Sequence, residues 1–244
     1  MKKKLTTQDI AAIAIGSALY AVFGYLTAGL SFLGVGFLPA VVIPAVFAAI
    51  FGPWVGGISG AIGIFIRDML VHGNAPLSLV AGVPPNFILF FLIGYIYTKN
   101  INLKHVLTGI TLATIGLLTT SIIIFPDMTT LNMVSNTTVI ISLTILTTSL
   151  AAIAIVSIYW KEWQSYAIGT IIGQITGGLL LSITLWLVSP MFLSYFGTPV
   201  TAIMVLPLFI WTIITEIPFI LIAGPPIIKI VQKSFPTLQH KNKN

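Results

Sequence analysis

Arg67 and Asp68 stand side by side in GAIGIFIRDMLVHGNAP, residues 60 to 76, a stretch that is otherwise apolar. Only 7% of the 244 residues are Asp, Glu, Lys or Arg, so two adjacent opposite charges call for a chemical explanation. If their helix starts near Pro53, Arg67 lies about 21 Å along it at 1.5 Å per residue. Adjacent helical residues diverge by about 100°, so the two side chains are not expected to face one another. Asp68 has a local partner in His72, four residues on, whereas Arg67 has only Ile64 and Val71 in its neighbouring positions. An intramembrane guanidinium is costly unless it snorkels to the interface or meets an anion. Either Arg67 snorkels while Asp68 finishes a helix end, or the pair faces a solute. On the second reading Arg67 favours a solute carrying a carboxylate or phosphate, and Asp68 matters less because His72 is within its reach.

Other polar and aromatic groups fall near the same end. Asn74 follows in a loop, and Asn86 opens the next helix in GVPPNFILFFLIGYIY. Tyr25, Phe32 and Phe37 offer stacking surfaces, and a mostly apolar pocket with a few polar groups suits a small organic solute. Glu216, in WTIITEIPFILIAGPPIIK, is the other intramembrane charge. Counted from Pro199 it lies about 26 Å along its helix, near the opposite face, which predicts that it shares no site with Arg67. Gln174, in GTIIGQITGGLLL, is expected to bond a neighbouring helix.

Enzymatic chemistry finds little support. Gly57 to Gly60 read GISG, the serine pattern of rhomboid proteases, but His72, His105 and His240 are the only histidines and none is expected level with Ser59. These glycines are therefore read as helix packing. There is no HExxH, phosphate-binding loop or dinucleotide fingerprint, so neither a metal nor a cofactor is implied. With no cysteine there is no disulfide, thiolate site or thiol nucleophile.

The elements that must position these residues are transmembrane helices. The chain is 57% hydrophobic, with a mean hydropathy of +1.07, which places it in the integral membrane class. It reads as one domain. About 20 apolar residues cross a bilayer core, and the segments 8–30, 38–52, 53–71, 84–98, 105–125, 138–158, 165–189 and 199–224 are candidates. Alternating them from a cytoplasmic start puts Lys2, Lys3, Lys4, Lys99, Lys104, Lys161, Lys229, Lys233, Lys241 and Lys243 inside and Arg67 alone outside. That bias predicts an all-α polytopic bundle of six to eight helices with both termini cytoplasmic. The net charge of +6 is thereby a topology signal rather than a nucleic-acid-binding face.

In the first helix Ala11, Ala14, Ala18, Ala21 and Ala28 fall within about 100° of one another, a ribbon that permits close helix approach. With IFGPWVGGISGAIGIFIRDML, PPNFILFFLIGYIYTKN and LPLFIWTIITEIPFILIAGPPIIKIV, this ribbon resembles the substrate-binding S components of energy-coupling factor (ECF) transporters. Residues 8–100 and about 165–232 carry the likeness. It implies a plasma-membrane subunit that binds a vitamin near the outer face and topples in the membrane to release it. The implied partners are a transmembrane coupling subunit, docked on Ala14 and Ala18, and a pair of cytoplasmic ATPases. The loop Ser31–Leu38 would gate the site. Such subunits usually have six helices, and 105–125 with 138–158 form the extra pair here. Riboflavin, thiamine, biotin and corrinoid precursors all remain open as solutes. The rivals are an autonomous secondary transporter, which would show inverted repeats and a midplane charged site, an intramembrane enzyme, and a structural subunit without ligand.

Overall fold

A computed structural model describes residues 5–99 and 161–236. The expected spans 105–125 and 138–158 lie outside the described residues. Five helices among the described residues are long and apolar enough to cross a membrane, and a shorter apolar helix accompanies them. Helix α1, Thr7–Leu26, opens on a capping box in which Thr6 and Asp9 each bond the other's backbone N–H. Helix α2, Val42–Phe51, follows a 3-10 turn at Pro39–Val41 and stops at Gly52, whose φ of 100° no larger residue adopts cheaply. Pro53 then starts α3, Pro53–Val71.

The expected span 84–98 extends backward through the apolar residues 76–83. A single turn, α4 (Ala75–Leu77), leads through a π-helical segment at Ser78–Gly82 into α5 (Val83–Lys99). Helix α6 covers Gln164–Val188, α7 is one turn at Leu193–Phe196, and α8 runs from Val205 to Ser234. Helix α8 passes Pro218, Pro225 and Pro226 without ending. Proline removes backbone hydrogen bonds but does not terminate a membrane helix whose flanks are packed, and Gly224 and Pro225 are buried here. The end placed at residue 224 is thus ten residues short.

Glycine sets the helix spacing. A Cβ at Gly57 or Gly60 of α3 would run into Phe87 or Phe90 of α5. Ser59 is fully buried and donates only to the Gly56 carbonyl, so GISG is a packing surface. On α6, Cβ atoms at Gly169, Gly173 and Gly177 would lie 3.0, 2.7 and 2.9 Å from the carbonyl oxygens of Ile93, Leu89 and Pro85 on α5. Small residues at a four-residue period let backbones approach in lipid. The core between α2, α5, α6 and α8 is apolar, built on Phe90, Ile93, Tyr166, Phe209 and Ile220. The outer faces carry exposed Ile10, Ile15, Leu70, Leu187, Ile222 and Ile230, as lipid-facing surfaces do.

One feature departs from all-α. Strands β1 (Ser31–Phe32) and β2 (Val35–Gly36) form a hairpin between α1 and α2. Leu33 and Gly34 both take positive φ, 48° and 80°, as a two-residue turn of this hand requires. Phe37 N–H donates to the Leu30 carbonyl at 2.7 Å, and Trp211 Nε1 of α8 donates to the Val35 carbonyl at 2.9 Å. Phe32 also packs on the Trp211 ring, at 5.9 Å between centroids. The hairpin is therefore tied to α8.

Candidate functional site

Beneath the hairpin lies a cavity of about 70 Å³ accessible to the centres of water molecules. At 10–15 Å³ per water that is room for roughly five to seven water-sized groups, about one substituted ring. Gly34, Val35 and Gly36 of the hairpin form one wall, and Leu77, Ser78, Ala81, Gly82 and Asn86 another. Leu181 and Leu185 of α6, Tyr195 and Phe196 of α7, and Glu216 of α8 complete it. Arg67, Asp68 and Ile64 enter from α3. A wider hollow of about 550 Å³ adjoins it and shares Gly34, Tyr195 and Phe196 with it.

Asp68 is the hub of the polar groups. Its Oδ1 accepts from Arg67 Nη1 at 3.0 Å and lies 3.6 Å from His72 Nε2, and its Oδ2 accepts from Ser78 Oγ at 2.7 Å. The π-helical segment aims Ser78 here, a use to which such insertions are often put. Arg67 and Asp68 are 5% and 6% exposed, so the guanidinium is buried in the bundle and does not snorkel. The expectation that these two side chains cannot meet is corrected. Their Cα–Cβ bonds do diverge, but the arginine stem is long enough to fold its guanidinium back across the helix. The stem packs where Gly24 leaves space, and Arg67 Nη2 occupies the position a Cβ at Gly36 would take. Arg67 Nε is buried with no hydrogen-bond partner among the described residues.

A second network borders the first. Tyr20 of α1 donates its hydroxyl to Asn86 Oδ1 at 2.8 Å, and Asn86 Nδ2 donates to the Gly82 carbonyl at 2.9 Å. Glu216 of α8 and Gln174 of α6 line one small slot beside the cavity, so Gln174 faces a neighbouring helix. Glu216 itself corrects the sequence reading, because it lines the same cavity as Arg67. The depth estimate started from Pro199, whereas regular α8 starts at Val205, which puts Glu216 about 16 Å along it. The helix then continues a further 18 residues to Ser234. Glu216 is mid-helix, and the charge-separation argument against a secondary transporter falls with that correction.

The structure places the remaining candidates elsewhere. Asn74 caps α4, its Oδ1 accepting from Leu77 N–H at 3.1 Å, and its own N–H donates to His72 Nδ1 at 3.2 Å. It holds His72 rather than lining the cavity. Tyr25 is 51% exposed on α1 and is not part of the wall, because its helical phase turns it away from α3. Phe37 packs edge-on against Phe219 at 5.5 Å. Sequence reasoning missed Tyr20, Ser78 and Tyr195, whose ring lies tilted against His72 at 5.1 Å between centroids. Only Ser78 had a local signal, as the one hydroxyl in the apolar run SLVAGVPP. The alanine ribbon divides: Ala11, Ala14 and Ala18 are exposed on the bundle surface, while Ala21 is buried within it.

Fold and site together define a multi-pass helical membrane protein built around a small cavity with a buried polar network. The model of the family described as ECF transporter, substrate-specific component, matches residues 8–133, just over half of the chain, and the protein belongs to that family. It is a substrate-binding subunit for uptake, integral to the plasma membrane, and members of the family are transporter subunits rather than enzymes. No curated protein and no solved structure matches the chain significantly.

Proposed function

We propose that this subunit captures a small water-soluble vitamin or vitamin precursor in the cavity under the hairpin. It hands the solute to a transmembrane coupling subunit driven by a pair of cytoplasmic ATPases. The observation that carries this reading is the buried Arg67–Asp68–Ser78–His72 network set in an otherwise apolar cavity. Charges inside a membrane bundle are expensive and are kept where they contact a solute or ion. Arg67, Asp68 and Asn86 are the residues assigned to the solute. The hairpin lies over them and is linked to α8 by one indole hydrogen bond and ring contacts, so it can lift without unwinding a helix. On this reading the whole chain is one integral membrane domain with both termini cytoplasmic, and the hairpin faces outward.

Ala14 and Ala18 form the coupling-subunit surface. They are exposed on α1 between the large side chains Ile15, Leu19 and Val22, a strip on which a partner helix can lie close. The family, rather than the position of the charges, now separates this reading from an autonomous carrier. The test is transport in sealed vesicles. The chain alone is expected to bind solute but accumulate none, and accumulation should appear on adding the coupling subunit, ATPases and ATP. Gradient-driven uptake by the purified chain without ATP would overturn the reading.

A further inference from the structure

The Glu216 end of the cavity is built from acceptors. Glu216 is 8% exposed and Gln174 1% exposed. Gln174 Oε1 is buried with no hydrogen-bond partner among the described residues. Glu216, Gln174, Asn86 and Thr212 line a slot of about 10 Å³, room for about one water-sized group. The slot shares Asn86, Leu181 and Glu216 with the main cavity. Thr212 contributes no free donor, since its hydroxyl donates to the Phe209 carbonyl at 2.8 Å.

Charge bookkeeping points the same way. Arg67 is matched by Asp68 at 3.0 Å, so the cavity's one cation is already neutralised. No Lys, Arg or His among the described residues forms a salt bridge with Glu216. Around the slot the unmatched groups are the Glu216 carboxyl and the Gln174 amide oxygen, in a space the size of a single amino group, while the unmatched donor, Arg67 Nε, lies outside the slot's lining.

Resting on the uptake reading, we propose that Glu216 and Gln174 form an amino-group subsite. The solute carries a protonated amine or an amino-substituted heterocycle, whose N–H groups donate to Glu216 and to Gln174 Oε1. The ring of the solute lies in the main cavity between Leu181, Leu185 and the Arg67–Asp68 pair. This reverses the preference for an anionic solute that Arg67 suggests from sequence alone. A site whose buried acceptors need donors rejects an analogue lacking them, because both the acceptors and the analogue's own polar group are then left unpaired.

The test uses the full chain purified in detergent and two matched pairs of probes, pyridoxamine with pyridoxine and thiamine with oxythiamine. In each pair an amino group is exchanged for an oxygen function. Biotin and pantothenate serve as anionic controls, and binding is read by isothermal titration. At least one amino member is expected to bind about tenfold or more tightly than its oxygen partner. Glu216→Gln should bring the ratio of the two affinities within each pair to about one, and Gln174→Met should reduce that ratio. A general loss of folding would weaken both members of a pair equally. Equal binding within both pairs, a preference retained in Glu216→Gln, or no binding of either amino member overturns the subsite. Binding of biotin or pantothenate that is unmoved by Glu216→Gln overturns the subsite while leaving the uptake reading intact. The uptake reading fails on a different result, gradient-driven accumulation by the chain alone.

Discussion

Replacing Asp68 by Asn tests the buried network at its centre. The substitution keeps the side-chain shape and allows an oxygen to go on accepting from Ser78, now 2.7 Å away. It removes the anion that faces Arg67 at 3.0 Å. Arg67 is only 5% exposed, so its charge cannot be recovered by water. Removing one member of a buried ion pair costs about 3–5 kcal/mol, because the other is stranded. Asp68→Asn is therefore expected to destabilise the protein by about that amount, and Arg67→Met by a similar amount. This departs from the ranking read off the sequence, in which Asp68 is the lesser partner. The double variant Arg67→Met, Asp68→Asn carries no stranded charge and should lie within about 1–2 kcal/mol of the wild type. The assay is reversible unfolding of the full chain in mixed detergent–lipid micelles, followed by circular dichroism, with the four proteins forming a double-mutant cycle. A single-variant cost below about 1 kcal/mol, or single costs that simply add in the double variant, would refute the coupling and return Arg67 to the interface.

Two further outcomes are expected. Ala14→Leu and Ala18→Leu should leave solute binding nearly intact while reducing co-purification with the coupling subunit, because leucine holds a partner helix away; equal loss of both would place the ribbon in this protein's own packing. Trp211→Phe removes the indole donor to the Val35 carbonyl while keeping an aromatic ring beside Phe32. At about 1 kcal/mol for the lost bond, hydrogen exchange of the Phe37 amide should speed up roughly fivefold, and unchanged exchange would show that the indole does not restrain the hairpin.

The sequence by itself determined the class of molecule and most of its helices. Composition demanded lipid around it, and the apolar length of residues 53–71 matched α3 because Pro53 and the polar His72–Asn74 break bound it on both sides. Local patterns also revealed the packing role of Gly57 and Gly60 and the Asp68–His72 pairing at four-residue spacing. What needed the tertiary structure was every relation across helices. Arg67 meets Asp68 because of where a long flexible side chain folds, which helical phase does not specify. Tyr20 reaches Asn86 across 66 positions of chain. Glu216 joins the cavity because α8 starts late and continues through Pro225 and Pro226, its packed flanks tolerating prolines that in isolation would end it. Hydropathy reports how long a helix is in lipid and which residues it contains. Which side chains share a cavity depends on the axial offset and rotation between helices, and those are decided by glycine contacts such as Gly173 against Leu89, made only when the bundle assembles.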